Sequence, residues 1–220
     1  MVALPGHDTR TVFIGSTGSG KTQGAVWLLS TCDYNNRPVF IVDPKGEKLF
    51  KELEKKGAFE IPIDLDELPT EPGIYIIRPL PGEYDLLTEF FQRIYYLENC
   101  IVFIDEATMM NKNDVWFRAL LTQGRGKEIQ LIICTQRPSW VDNYVFTEAT
   151  FFALYRLNSL DDQKKMRIYL GGLTMDTLPD YHWLWYIVNE QRHVTFTPVP
   201  DATRIIAGFH IATAKGPRKI

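Results

Sequence analysis

The chain has 220 residues, 45% of them hydrophobic, with 13 Phe, 10 Tyr and 5 Trp, which supplies one substantial core and excludes a disordered polypeptide. A net charge of -3 excludes a domain that is basic throughout and grips nucleic acid by bulk charge. Cys32, Cys100 and Cys134 have neither metal-ligand nor disulfide spacing, and no run reaches the roughly 18 apolar residues of a membrane span. A reducing compartment is therefore expected, with Cys100 and Cys134 as small core residues and no span of the chain's own.

In chain order, a short apolar strand is expected over Thr11–Ile14, then a helix over Gln23–Ser30 and a second strand in "PVFIVD", Pro38–Asp43. A charged helix over Glu47–Lys56 follows, then short strands at Ala58–Ile61 and Gly73–Ile77. "EYDLLTEFFQRIYYLE" repeats Leu86, Leu87, Phe90, Phe91, Ile94, Tyr95 and Leu97 with helical spacing. The strand Ile101–Ile104 comes next, then a helix over Asn111–Leu121 and buried strands at Ile129–Cys134 and Phe151–Leu154. A helix over Asp161–Leu170 ends at Gly171 and Gly172. Tyr186–Val188 and Val194–Thr197 flank "NEQR" as a hairpin, and the aromatics of "YHWLWY" read either as core packing or as a subunit interface. Strands alternating with apolar-faced helices predict a mostly parallel sheet covered on both sides. Residues 1–200 are expected to form one domain. Residues 201–220, with no acidic residue after Asp201, are expected to form a basic tail.

"GSTGSGKT" fits G-x-x-x-x-G-K-[ST], entered by an apolar strand and left by a helix. Gly15, Ser16, Thr17, Gly18, Ser19 and Gly20 would wrap backbone amides around phosphates, and the helix start adds further unpaired amides. Lys21 would reach the terminal phosphates and Thr22 would offer its hydroxyl to Mg²⁺. ATP and Mg²⁺ are the expected ligands.

"IVFIDEATMM" places two acids directly after a buried strand. Asp105 suits the metal ion, and Glu106, projecting elsewhere, suits the orientation or deprotonation of an attacking water; Glu106 also reads as a glutamate stabilising a helix start. In that alternative Glu106 is a solvated helix-start residue. The pair favours hydrolysis over small-molecule phosphorylation. Gln136, in "CTQRP" after the next strand, carries an amide able to donate to a γ-phosphate and accept from a water, or it is simply a polar turn residue.

Gly15–Thr22, "VDPKGE" at Val42–Glu47, "FIDEA" at Phe103–Ala107 and "TQRP" at Thr135–Pro138 together resemble the FtsK–HerA superfamily of translocating ATPases. The small size is most similar to the genome-packaging ATPases of tailless icosahedral viruses with an internal membrane. The resemblance spans roughly residues 11–155. It implies an α/β fold of the P-loop NTPase, RecA-like (ASCE) kind, a three-layer sandwich with a mostly parallel sheet and the catalytic glutamate beside the metal-binding aspartate. It also implies a homo-oligomeric ring, often a hexamer, that threads double-stranded DNA without sequence specificity and docks on capsid or membrane vertex proteins of a virion. A trans arginine commonly completes each site in the family. Arg125 is the first candidate and Arg118 the second; Arg125 also reads as a solvated helix-end arginine interacting with that helix's dipole.

Candidate DNA contacts are Lys164, Lys165 and Arg167, the loop around Trp140 and Asn143, and Lys215, Arg218 and Lys219 in the tail. Each reads also as solvated surface, and the tail equally as a partner-docking or solubilising segment. Two other readings of the chain stay open: a phage extrusion or secretion ATPase acting on single-stranded DNA or protein, and an assembly switch with little turnover.

Overall fold

The structure, a computed structural model, describes residues 4–171 and 178–211. The strands are β1 (Arg10–Ile14), β2 (Pro38–Val42), β3 (Phe59–Glu60), β4 (Gly73–Ile77), β5 (Ile101–Ile104), β6 (Gln130–Thr135), β7 (Phe151–Leu154), β8 (Trp183–Ile187) and β9 (Arg192–Phe196). They form one sheet in the order β3-β4-β2-β5-β6-β1-β7-β8-β9. From β3 to β7 every pairing is parallel; β8 and β9 close the far side antiparallel.

The central strands are continuous apolar runs because both of their faces are covered. In β1, Val12 and Ile14 pack into one core while Phe13 packs into the other. The first core is closed by α3 (Tyr84–Leu97), α4 (Val115–Gln123), α5 (Tyr144–Thr147) and α6 (Leu160–Tyr169), which contribute Phe90, Phe117, Phe146 and Met166 among others. The second is closed by α1 (Lys21–Leu29), α2 (Lys48–Lys55) and α7 (Ala202–Ala207), through residues such as Leu28, Phe50 and Ile206. Helix, sheet, helix: the expected layers are all present.

Three local expectations need correction. Helix α4 starts at Val115 rather than Asn111, because Asp114 ends the preceding turn and caps the helix, accepting from the amides of Trp116 and Phe117. The second is the strand expected at Tyr186–Val188: β8 runs Trp183–Ile187, with Trp183 and Trp185 on one face of the sheet and Leu184 and Tyr186 on the other, so these four take the core-packing reading while Tyr181 is exposed. The third concerns the tail expected from residue 201. Asp201 caps α7, Ile205, Ile206 and Phe209 are buried, and His210 N donates to Tyr34 Oη at 3.0 Å. Apolar burial thus ties residues 201–211 to the body, while Lys215, Arg218 and Lys219 lie outside the described residues.

Registry aligns the ends of the central strands. Ile14 of β1 is opposite Thr135 of β6, and Ile104 of β5 ends two residues short of the same edge, opposite Ile133. Gly15, Asp105 and Gln136 therefore leave the sheet together at its carboxyl edge, with Gln136 on the strand between the other two.

Candidate active site

The loop after β1 turns back through two left-handed glycines, Gly18 (φ 77°) and Gly20 (φ 93°), which side-chain-bearing residues adopt only at a cost. It is tied to the sheet by Gly15 N donating to Thr135 O at 3.2 Å and Ser16 N to Arg156 O at 3.1 Å. Helix α1 then starts at Lys21, whose residue is only 6% exposed. This helix sits close over the end of β7: a Cβ at Gly24 would lie 2.0 Å from Tyr155 Oη.

Thr22 Oγ1 donates to Asp105 Oδ1 at 2.9 Å, which joins the loop to the end of β5. Asp105 and Glu106 are both buried, and Asp105 Oδ2 and Glu106 Oε2 accept no hydrogen bond. Both oxygens instead face Lys45, whose Nζ lies 3.3 Å from Asp105 Oδ2 and 3.0 Å from Glu106 Oε2. Burial works against the Lys45 charge, but the two carboxylates outweigh it and hold the ammonium above its ordinary range. The other Glu106 oxygen, Oε1, accepts from Thr108 Oγ1 at 2.9 Å and caps the 3-10 turn that follows. The two acids therefore converge on one cation, whereas the sequence reading had Glu106 projecting elsewhere. The alternative of a solvated glutamate at a helix start is corrected in part: Glu106 does cap a turn through Thr108, but it is buried and the turn is a three-residue 3-10 element.

Lys45 is presented by a built turn. Asp43, fully buried, accepts from Glu47 N at 3.0 Å and from Arg78 Nε at 3.1 Å, and Gly46 takes φ 66°. Arg78 also pairs with Glu54 and Glu60. Gln136 meets the phosphate loop directly, its Oε1 accepting from Thr17 Oγ1. One open cavity is lined by Gly20, Lys21, Thr22, Lys45 and Gln136.

The donor set fits a magnesium ion. A hydroxyl and one carboxylate oxygen without a hydrogen bond suit a hard cation that keeps water and takes its remaining ligands from phosphates. No cluster of three or more His, Cys, Asp or Glu side chains able to hold a metal occurs among the described residues.

No protein-family profile matches the chain. The fold matches the genome packaging NTPase B204 from Sulfolobus turreted icosahedral virus 2 in complex with AMPPCP, with a TM-score of 0.70 at 19% identity over 89% of this chain and 100% of that one. It also matches VirB4 of Thermoanaerobacter pseudethanolicus, with a TM-score of 0.66 at 12% identity over 90% and 91% of the two chains. In sequence, the chain is 33% identical over 221 residues to the DNA packaging ATPase P9 of Enterobacteria phage PRD1, covering 96% of both. The chain belongs to the DNA-packaging ATPase family. The layered sheet with its phosphate loop is accordingly the RecA-like, ASCE form of the P-loop fold.

Within this packaging ATPase, Arg125 stands apart from the site. It lies in the 3-10 turn Gly124–Lys127, before β6, with Nε 3.2 Å from Asp8 Oδ2. Gln136 leaves the other end of the same strand, about 17–20 Å away for six residues. Arg118, near the start of α4, pairs with Asp142 at 2.6 Å and lies over the Tyr144 ring at 5.4 Å. Both contacts belong to the segment that follows β6, on the side where Gln136 emerges.

Of the candidate DNA contacts, Lys164 and Arg167 are exposed on α6. Lys165 is turned inward: its Nζ donates to Val141 O at 3.0 Å and lies over the Phe146 ring at 4.7 Å. Burial lowers its affinity for a proton. Arg137, beside Gln136, stacks on Trp140 and pairs with Asp162 of α6. Sequence reasoning missed this link and the contacts of Lys45 with Asp105 and Glu106, although Arg137 and Lys45 lie inside motifs it singled out. No helix among the described residues is long and apolar enough to cross a membrane.

Proposed function

We propose that the chain is an ATP-hydrolysing motor that drives double-stranded DNA into a preformed capsid, acting as a ring of identical copies at a virion vertex. The observation that carries this reading is the meeting of Thr22, Asp105, Glu106 and Gln136 at one edge of the sheet, in a chain whose relative P9 is a DNA packaging ATPase.

In the proposed cycle the amides of Gly15–Thr22 and the Lys21 ammonium hold the phosphates. Thr22 and, through water, Asp105 would hold Mg²⁺, whose charge favours electron build-up on the leaving oxygen. Glu106 accepts a proton as a water oxygen bonds to the γ-phosphorus, and the bond to the β,γ-bridging oxygen breaks, leaving its electron pair on ADP. Gln136 donates its amide N–H to the γ-phosphate and accepts from the attacking water. An arginine from the next copy, Arg125 in the first instance, completes the site. Lys164 and Arg167, with the segment bearing Lys215, Arg218 and Lys219, contact DNA phosphates without reading bases.

Turnover measured with and without long duplex DNA tests the reading, on the natural chain and on Glu106→Gln. Slow basal turnover stimulated by duplex is expected. The variant should bind ATP while losing hydrolysis by about 10²–10⁴-fold, the usual worth of a general base. Stimulation by single strands alone would instead support an extrusion machine, and no turnover under any assembly condition would support a nucleotide-dependent assembly switch.

A further inference from the structure

The phosphate loop sets a direction as well as a place. Lys21, Thr22 and Gln136 line one cavity, and Thr22 joins it to Asp105. The terminal phosphate belongs at that end, because the lysine of such a loop reaches the β- and γ-phosphates and its threonine the metal. The nucleoside must then leave by the other end. A second cavity of about 330 Å³ adjoins the first there, sharing Gly20, Gln23 and Tyr181 with it and bounded further by Pro198, Val199 and Asp201.

Tyr181 is held in this junction at a cost. Its backbone takes φ 60°, a left-handed conformation that ring-bearing residues seldom adopt, and the residue is 59% exposed. The ring nevertheless packs on the phosphate loop, since a Cβ at Gly20 would lie 3.2 Å from Tyr181 Cδ1. A broad aromatic face kept in solvent beside a phosphate site suits a planar ligand.

The remaining wall is fixed in place. Val199 packs against the second core, and Gln23 Nε2 donates to Pro200 O at 2.7 Å, which ties this segment to α1. The polar side chains of the cavity are already engaged. Gln23 makes that bond, and Asp201 turns to its own helix, where Oδ1 accepts from Arg204 N at 3.0 Å. What is left to a ligand is apolar surface.

We propose that this second cavity takes the nucleobase, with Tyr181 as a specificity-determining residue that selects the size of the base and not its identity. A purine stacks on the tyrosine ring beside Pro198 and Val199. Stacking on an aromatic side chain tolerates every base, because each has a π-face. Strong discrimination comes instead from hydrogen-bonding groups aimed at the ligand's edge. The substrate class is therefore purine nucleoside triphosphates, ATP and GTP alike, with the smaller pyrimidines bound less well. This rests on the reading of the site as an ATPase.

Calorimetric titration of Glu106→Gln with the magnesium salts of ATP, GTP, CTP and tripolyphosphate tests the proposal, with and without Tyr181→Asn. Asparagine accepts a left-handed backbone and carries no ring, so the change removes the stacking face without adding strain. ATP and GTP should bind within about threefold of each other and CTP at least about fivefold more weakly. Tyr181→Asn should weaken both purine nucleotides about tenfold and leave tripolyphosphate within about twofold, while Tyr181→Phe keeps the nucleotide affinity. An equal loss for tripolyphosphate would make Tyr181 a support of the loop, and a preference of more than about tenfold for one purine would show that base edges are read. Either result overturns the proposal. Should Tyr181→Asn fail to fold, photolabelling of the natural chain with 8-azido-ATP supplies a second measurement. Label is expected on the peptides bearing Tyr181 or Pro198 and Val199, and label confined to other peptides would also overturn the proposal. Failure of the ATPase reading itself shows differently, as no binding of tripolyphosphate or of any nucleotide with Tyr181 intact.

Discussion

Arg137 Nε lies 2.9 Å from Asp162 Oδ2, and this ion pair fastens the residue beside Gln136 to helix α6. Asp162 is fully buried, accepts also from Ser139 N at 2.9 Å, and belongs to the helix that exposes Lys164 and Arg167. A change in what Gln136 touches therefore has a short rigid route to those cations.

Arg137→Ala tests that route. The arginine side chain is 40% exposed, so solvent screening limits the pair to about 1 kcal/mol of stability or less. Basal ATP turnover is expected to survive while stimulation by duplex falls by at least about fivefold, a coupling loss of about 1 kcal/mol. Undiminished stimulation would show that α6 does not carry the signal. Asp162→Ala strands Ser139 N and should cost about 2 kcal/mol in urea unfolding.

Arg125→Ala should leave ATP binding by the monomer unchanged and abolish turnover that depends on assembly, by about 10³-fold for a lost trans arginine. Normal turnover in that variant would remove Arg125 from the site. Arg118→Ala is the paired measurement, because Arg118 lies on the side where Gln136 emerges. Its own monomer cost is the loss of the Asp142 and Tyr144 contacts and of the hydrogen bonds to Lys112 O and Asn113 Oδ1, about 1–2 kcal/mol.

Gly24→Ala should destabilise the fold by about 1–3 kcal/mol through overpacking, since the new Cβ would lie 2.0 Å from Tyr155 Oη. That hydroxyl is buried without a hydrogen-bond partner, so Tyr155→Phe should cost under about 0.5 kcal/mol. The double variant should regain more than half of the loss. Strict additivity in thermal unfolding would show that the clash is not the cause.

Stability should decline in alkaline solution. Burial pushes the Cys32 thiol from an ordinary 9.0 up to about 11 and the Cys100 thiol up to about 12. Between those values the unfolded chain has released protons that the folded chain still holds, so unfolding becomes easier as pH rises. Below about 9 the contribution is fully present. A Cys32→Ala, Cys100→Ala variant should show a shallower fall in thermal midpoint between about pH 8.5 and about pH 10.5. Identical slopes would rule the thiols out.

The parts of the site legible in the sequence are those where chemistry and local pattern coincide. Asp105 and Gln136 follow buried strands directly, and Gly15–Thr22 has both of its structural flanks. Lys45 stands inside a motif without a chemistry that the sequence alone assigns, because its direction depends on Arg78, which anchors Asp43 of its turn, and on Asp105, both distant in sequence. Helix α7 was missed for a related reason. Its six residues are too few for periodicity, and two prolines suggest an exit; the available signal was Asp201 as a cap before Ile205 and Ile206. Arg125 stands before a parallel strand and so emerges at the amino edge, away from its own chain's phosphate loop; whether it meets a neighbour's loop depends on how copies pack, which no pattern within one sequence encodes.

The two margins of the sheet bear on how copies can meet. At one side β3 is only two residues long, and at the other β9 turns Arg192, His193 and Thr195 to solvent. Such margins resist strand-by-strand joining. In the proposed ring, neighbours would then not be joined by strand pairing at these margins, which leaves each subunit freer to pivot against the next than a continuous sheet would allow.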